Sequence, residues 1–310
     1  AANFLPQTGQ LLSWEPPIRD GVRIDHGLLE GQPISPFYDP MLGKVIAHGA
    51  TREEARRKLL RAVEDCVLLG VQANQRLLAG LLAHPQFIDG DFGTDFIQQH
   101  FADHPALQAP GPSAEQLAIA AALFYQAMHA RHAPGLGGWS NNSGAVRRYR
   151  IGLGERDWPL TLTAATGGTL HIRIAERVIE LKLLESDQCG ATLMIDGIRQ
   201  RHAWHLDGND LWLFTRPGGL HLQDRTQAPV AARASVSDGS LNAPMDGAIV
   251  EVLVSEGTAV RQGQLLMVLE AMKMEHPLKA GIDGVVRTLH VKPGDQVKNR
   301  QLLLQVETAH

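Results

Sequence analysis

Lys273 is the residue of this chain best suited to chemistry. It sits in the run Glu270-Ala271-Met272-Lys273-Met274-Glu275-His276-Pro277. A lysine at a tight, exposed turn is open to acylation by another enzyme, which removes its charge and adds a long arm. Met-Lys-Met by itself describes an ordinary solvated lysine between two packing residues. Its surroundings change that reading, because the run separates two copies of a repeat. Residues 245–270 shifted by 37 positions overlay 282–307 with nine identities in 26 positions, among them Asp246/Asp283, Gly247/Gly284, Gly257/Gly294 and Glu270/Glu307. Other candidates carry less. His129/His132 and His202/His205 are close in sequence, but among 14 histidines such pairs arise by chance, so no metal site is expected. Cys66 falls on an apolar helical face and Cys189 beside Gly190, a core thiol and a loop thiol. No Ser/His/Asp set has a motif around it, so no catalytic residue is assigned within the chain.

The elements around Lys273 follow from the repeat. Each copy reads strand, Gly turn, strand, strand, and a unit so short cannot bury its apolar face alone. Two copies packed together predict a flattened β-sandwich with approximate two-fold symmetry, and the link carrying Lys273 then lies at a hairpin tip. Residues 228–240 (APVAARASVSDGS) precede it. They lack the apolar content to order themselves and are expected to form a flexible linker that reaches about 45 Å when extended.

Upstream, Ser113 and Gln116 form a capping box that opens a helix, and from Leu117 to Met128 nearly every residue is apolar or Ala. A helix apolar all round has to be enclosed by protein. The chain then alternates through RRYRIG, LTLTA, TLHIRIA, RVIELKL, ATLMID, IRQRHAWHL and DLWLF, with hairpin signals at Asp196-Gly197 and Asp207-Gly208. Seven or eight antiparallel strands around the helix would bury both. Between them, a Gly- and Asn-rich loop holds Trp139, Ser140 and Asn141. Further upstream, Thr51 and Glu54 suggest a second capping box, for a helix carrying Ala55, Leu59, Ala62, Val63, Cys66 and Val67 and ending at Gly70; another helix is expected near 74–83.

The 310 residues carry 29 Lys plus Arg against 33 Asp plus Glu, a net charge of −4. That balance argues against a nucleic-acid surface, and no apolar run reaches the length of a membrane span. Two cysteines cannot build a disulfide framework, which points to a reducing compartment. The opening Ala1-Ala2-Asn3-Phe4 has neither a start Met nor the apolar core of a signal peptide, so a processed or partial chain is expected.

Ala271-Met272-Lys273-Met274, together with Ala243-Pro244-Met245-Asp246-Gly247, resembles the biotin carboxyl carrier domain of biotin-dependent carboxylases. The resemblance implies biotin attached to Lys273, flanked by Met272, Met274, Ala271 and Glu270, with the methionines read as recognition and packing groups for a biotin protein ligase rather than as catalysts. Lipoyl domains share the fold but usually carry Asp-Lys-Ala at the tip, and a lipoyl-type carrier or adaptor protein is the alternative reading. Phe4-Leu5-Pro6-Gln7-Thr8-Gly9, Ser35-Pro36-Phe37-Tyr38-Asp39-Pro40-Met41-Leu42-Gly43-Lys44 and Gly70-Val71-Gln72-Ala73-Asn74 resemble the C-terminal part of a biotin carboxylase domain. The ATP, bicarbonate and Mg used by that domain are then handled upstream, and this chain alone is expected to be inactive.

The middle segment resembles the helix-in-barrel domain with which acyl-CoA carboxylase α subunits dock on a carboxyltransferase β subunit. By that analogy the contact lies at 135–146, with Trp139, Ser140 and Asn141 as candidate docking residues. Met274-Glu275-His276 resembles the methylcrotonyl-CoA and geranyl-CoA enzymes, with propionyl-CoA carboxylase as the alternative. The expected fold is α+β and mostly β. Residues 1–108 form the C-terminal part of a biotin carboxylase domain and 109–227 an antiparallel β-barrel around a long helix. Residues 228–240 are a linker, and 241–310 a flattened β-sandwich biotinyl domain with two-fold pseudo-symmetry. The family places such a subunit in a large hetero-oligomer, cytoplasmic in bacteria or in the mitochondrial matrix.

Overall fold

The computed structural model describes residues 7–101, 111–130, 145–187, 190–228, 239–272 and 274–308. By contacts they fall into two units, one drawn from Leu11–Gln32 and Gly43–Ala228, the other from Ala2–Gln10, Pro33–Leu42 and Pro229–His310. The boundary expected near 108, most of the linker, His132 and Cys189 lie outside the described residues.

The early part of the chain is built from short pieces: β1 (Gly9–Gln10), β2 (Ser13–Glu15), β3 (Val22–His26), β4 (Pro33–Ile34), β5 (Gly43–Ala47), α1 (Arg52–Asp65), β6 (Val67–Leu69), α2 (Gln75–Ala83), α3 (Pro85–Asp89) and α4 (Phe96–Phe101). Thr51 Oγ1 accepts the Glu54 N–H at 3.2 Å, as expected of an N-cap. The returning bond differs, since Glu54 Oε2 accepts from Ala50 N at 2.9 Å instead of from Thr51.

The first helix is shorter than its pattern suggested. It stops at Asp65, Cys66 is extended, and Val67–Leu69 becomes a strand paired with β2. Val67-Leu68-Leu69 is apolar on every side, so periodicity cannot tell a buried strand from a continuing helix. Packing decides: Val67 and Leu69 share an apolar cluster with Ala203 and Phe214 of the barrel described next. Beside that cluster the half-buried Asp65 receives Arg216 Nε at 2.7 Å and Arg61 Nε at 3.3 Å, and Arg19 also bonds to it.

Helix α5 (Ala114–Ala130) opens with a complete capping box. The Gln116 N–H donates to Ser113 Oγ at 3.2 Å and the Ser113 N–H to Gln116 Oε1 at 2.8 Å. Every residue from Leu117 to Phe124 is buried. Around it runs a closed antiparallel barrel of β7 (Val146–Leu153), β8 (Arg156–Ala164), β9 (Thr169–Ile174), β10 (Arg177–Ser186), β11 (Gly190–Ile195), β12 (Ile198–Asp207), β13 (Asp210–Phe214) and β14 (Gly219–Asp224).

Strand β14, which is not among the runs named above although Leu220 and Leu222 alternate in it, closes the barrel through Gln223↔Gly152 and Asp224↔Ile151. Alternation holds in β9, where Leu170 and Ile172 are buried while His171 and Arg173 are exposed. Asp196 (φ 46°) and Gly197 (φ 82°) form the expected left-handed turn. At the other signal Asp207 is itself paired, with Asp210, so the turn is Gly208-Asn209.

The second unit contains the sandwich, with sheets ordered β15-β22-β20-β17 and β19-β18-β16-β21. These are β15 (Ser240–Asn242), β16 (Gly247–Val252), β17 (Ala259–Val260), β18 (Leu265–Ala271), β19 (Met274–Lys279), β20 (Gly284–Leu289), β21 (Gln296–Val297) and β22 (Leu302–Glu307). The repeats exchange strands: β17 of the first pairs with β20 of the second, and β21 of the second with β16 of the first. Neither copy has a complete sheet without the other, which is the physical content of the repeat.

Candidate functional site

The two-fold relation is kept down to single hydrogen bonds. Ile249 N donates to Asp295 O and, 37 residues on, Val286 N donates to Thr258 O, both at 2.9 Å. Gly257 N to Val286 O and Gly294 N to Ile249 O are both 2.7 Å. The strand bulges recur as well, between Ile249 and Glu251 and between Val286 and Thr288.

One thing the symmetry cannot repeat is the chain passing from one copy to the next. That passage is the β18–β19 hairpin, whose last pair is Ala271↔Met274. Met272 therefore lies beyond the last strand pair. Lys273 itself lies outside the described residues, as do Trp139, Ser140 and Asn141.

The neighbours of Lys273 separate into two kinds. Ala271 is buried in the sandwich core. Met274 is 45% exposed and Met272 only 3%. The two methionines, expected as recognition and packing groups, thus differ in exposure. Glu270 faces Glu275 across the strands, so two exposed carboxylates flank the tip. His276 is buried and its Nε2 has no hydrogen-bond partner among the described residues.

Gly247 is required beneath the hairpin, because a Cβ there would stand 2.5 Å from Glu270 O and 3.2 Å from the Ala271 side chain. A two-residue turn closing a rigid ladder, with an exposed Met after it, suits a covalently attached group: the attachment point is fixed by the sheet and leaves no ladder bond to be broken.

Sequence patterns did not reveal the backbone partner of Met272. Its N–H donates to Pro36 O at 2.7 Å. Pro36 belongs to a segment singled out above only for its resemblance to a carboxylase domain, and nothing in its composition announces this contact.

Residues 1–99 match the family described as biotin carboxylase C-terminal domain, and residues 239–308 the family described as biotin-requiring enzyme. The mitochondrial methylcrotonoyl-CoA carboxylase subunit alpha of Mus musculus is 29% identical over 299 residues, 90% of this chain and 41% of that protein. The propionyl-CoA carboxylase alpha chain of Ruegeria pomeroyi is 29% identical over 308 residues, 89% of this chain and 45% of that protein. A solved biotin carboxylase domain, from the 2-oxoglutarate carboxylase of Hydrogenobacter thermophilus, is 26% identical and covers 35% of this chain and 23% of its own, with a TM-score of 0.33. The chain spans less than half the length of the curated relatives it matches. It carries a biotin carboxylase C-terminal segment and a biotinyl-type carrier domain, and its relatives are acyl-CoA carboxylase α subunits.

Proposed function

We propose that this chain is the carrier and docking portion of an acyl-CoA carboxylase α subunit, with biotin bound covalently to Lys273. The observation that carries this reading is the Ala271-Met272-Lys273-Met274 tip on the single hairpin joining two pseudo-symmetric repeats. Biotin, when attached, supplies the atom that accepts and releases a carboxyl group. The chain's own residues do the rest. The Ala271↔Met274 pair fixes the attachment point, Met274 offers an exposed handle to a biotin protein ligase, and the 228–240 linker keeps the carrier at high local concentration near its sites.

Loading with ATP, Mg and bicarbonate belongs to parts of the relatives that this chain does not span. Transfer to the acyl-CoA belongs to a carboxyltransferase β subunit docked on the barrel, with Trp139, Ser140 and Asn141 at the contact. The substrate is a branched or unsaturated acyl-CoA such as 3-methylcrotonyl-CoA or geranyl-CoA, and the setting is the bacterial cytoplasm or the mitochondrial matrix, in a hetero-oligomer.

The test is co-expression with a biotin ligase. The chain should then shift on a gel with avidin, and Lys273→Arg should abolish the shift. A chain that stays unshifted overturns the reading, and intact mass separates biotinyl from lipoyl modification. Co-purification with a β subunit and a screen of acyl-CoA substrates tests the rest, with turnover of propionyl-CoA alone overturning the substrate assignment.

A further inference from the structure

Strand β14 closes the barrel on β7, and the last pair of that ladder is Asp224↔Ile151. The chain nevertheless stays against β7 through Ala228, where the first compact unit ends. Apolar packing does not hold it there, since Thr226, Gln227 and Ala228 are exposed. The fastening is polar, and it comes from Arg150 and Arg225.

Arg150, on β7, uses its backbone and its side chain together. Its carbonyl accepts the Arg225 N–H at 2.8 Å, and its own N–H donates to Thr226 Oγ1 at 3.1 Å. Its guanidinium forks onto two carbonyls. Nε and Nη2 donate to Arg225 O at 2.9 and 2.6 Å, and Nη2 donates also to Ala228 O.

Arg225 is fixed in return. Its guanidinium lies across Gly152, where a Cβ would stand 2.5 Å from Arg225 Cζ. Gly152 pairs with Asp157 on one side and Gln223 on the other. Those two side chains receive the guanidinium: Nη1 donates to Asp157 Oδ1 at 2.8 Å and Nη2 to Gln223 Oε1 at 2.7 Å. A planar fork is already shaped for paired bonds, so little freedom is lost in making them. The barrel is closed by Asp224, so these bonds serve the departing chain.

We infer that Arg150 and Arg225 are positioning residues that staple the chain to the barrel as far as Ala228, so that the arm bearing the carrier starts there and not at the end of β14. The use of the arm rests on the proposed carrier function and on the reading of 228–240 as a linker. The staple itself is made by unmodified polypeptide and is testable without biotin. Undoing it releases 225–228 and lengthens the arm by up to roughly 14 Å, at about 3.5 Å per residue.

Nitrogen-15 relaxation on the full unmodified chain reads the staple directly. Gln227 and Ala228 should show order parameters near the rigid value of about 0.85. In Arg150→Ala they should fall below about 0.6, while Leu222, inside the ladder, keeps its value. Mobile Gln227 and Ala228 in the native chain, or rigid ones in the variant, overturn the inference. If Arg150→Ala fails to fold, Gly152→Ala takes its place, because its methyl displaces the Arg225 guanidinium; the same results support or overturn.

Reach is a readout that a merely stabilising contact would not move. Spin labels on Arg199→Cys and Gln262→Cys, both at exposed positions, report it by double electron–electron resonance in a chain whose own cysteines are replaced. The longest distances should grow by up to roughly 14 Å in Arg150→Ala, and should return when residues 229–232 are also deleted. Unchanged longest distances, or growth that the deletion does not reverse, overturns the inference. A missing avidin shift would defeat the proposed function and leave all of these results standing.

Discussion

The Asp246 carboxylate accepts the backbone N–H of Asn299 at 2.6 Å, across 53 residues of chain. Its repeat counterpart Asp283 accepts the N–H of Gln262 at 2.7 Å. Gln262 and Asn299 are themselves 37 positions apart, so each copy of the repeat supplies the carboxylate that ties down a turn of the other. The identity Asp246/Asp283 is therefore a pair of cross-braces.

Removing either brace should cost the same. Asp246→Ala and Asp283→Ala are each expected to lower stability by about 1.5–3 kcal/mol, the range for a hydrogen bond to a charged acceptor. Urea unfolding of the two single variants checks this, and a markedly unequal pair of losses would contradict the symmetry.

The glycines packed against the ends of β18 and β22 set a sharper contrast. A Cβ on Gly247 would meet Glu270 O at 2.5 Å, and one on Gly284 would meet Glu307 O at 2.2 Å, both rigid backbone atoms. Gly257 has open space around it and only a φ of +85° to satisfy. Gly257→Ala should cost about 1–2 kcal/mol for the left-handed backbone alone. Gly247→Ala and Gly284→Ala should cost clearly more, and thermal unfolding ranks the three.

Burial pushes the Cys66 thiol up to about 11 from an ordinary 9.0. The native thiol should thus stay unreactive toward iodoacetamide at pH 8 and react once the chain is unfolded. The unfolded chain gives up this proton near pH 9 and the folded chain only near pH 11. Stability contributed by the neutral thiol is intact below pH 9 and falls as pH rises through that interval. Cys66→Ala should flatten the alkaline limb of the stability curve, and unchanged slopes would contradict the assignment.

The capping box of α5 joins helix and barrel. Besides its bonds to Ser113, Gln116 donates from Nε2 to Thr215 Oγ1 at 2.9 Å, at the end of β13. Ser113→Ala is expected to cost about 1 kcal/mol as a lost cap. Gln116→Ala should cost more, because it also strands the Thr215 contact, and denaturation midpoints of the two variants measure the difference.

Much was settled by the sequence by itself, wherever neighbours in the chain are the cause. The Ser113/Gln116 box, the all-round apolar helix, the Asp196-Gly197 turn and the 37-residue repeat each reflect short-range chemistry or a pattern that only one packing can bury. The hairpin that holds Lys273 follows from the repeat without any coordinates. Tertiary structure decided what depends on distant partners. Val67–Leu69 is a strand because Ala203 and Phe214 wait on the barrel, and Gly219–Asp224 closes that barrel by pairing with the distant β7. Met272 and Met274 look alike in the sequence and differ in burial. The fold also brings the Pro36 carbonyl to the Met272 N–H, a contact between distant residues that no local pattern encodes.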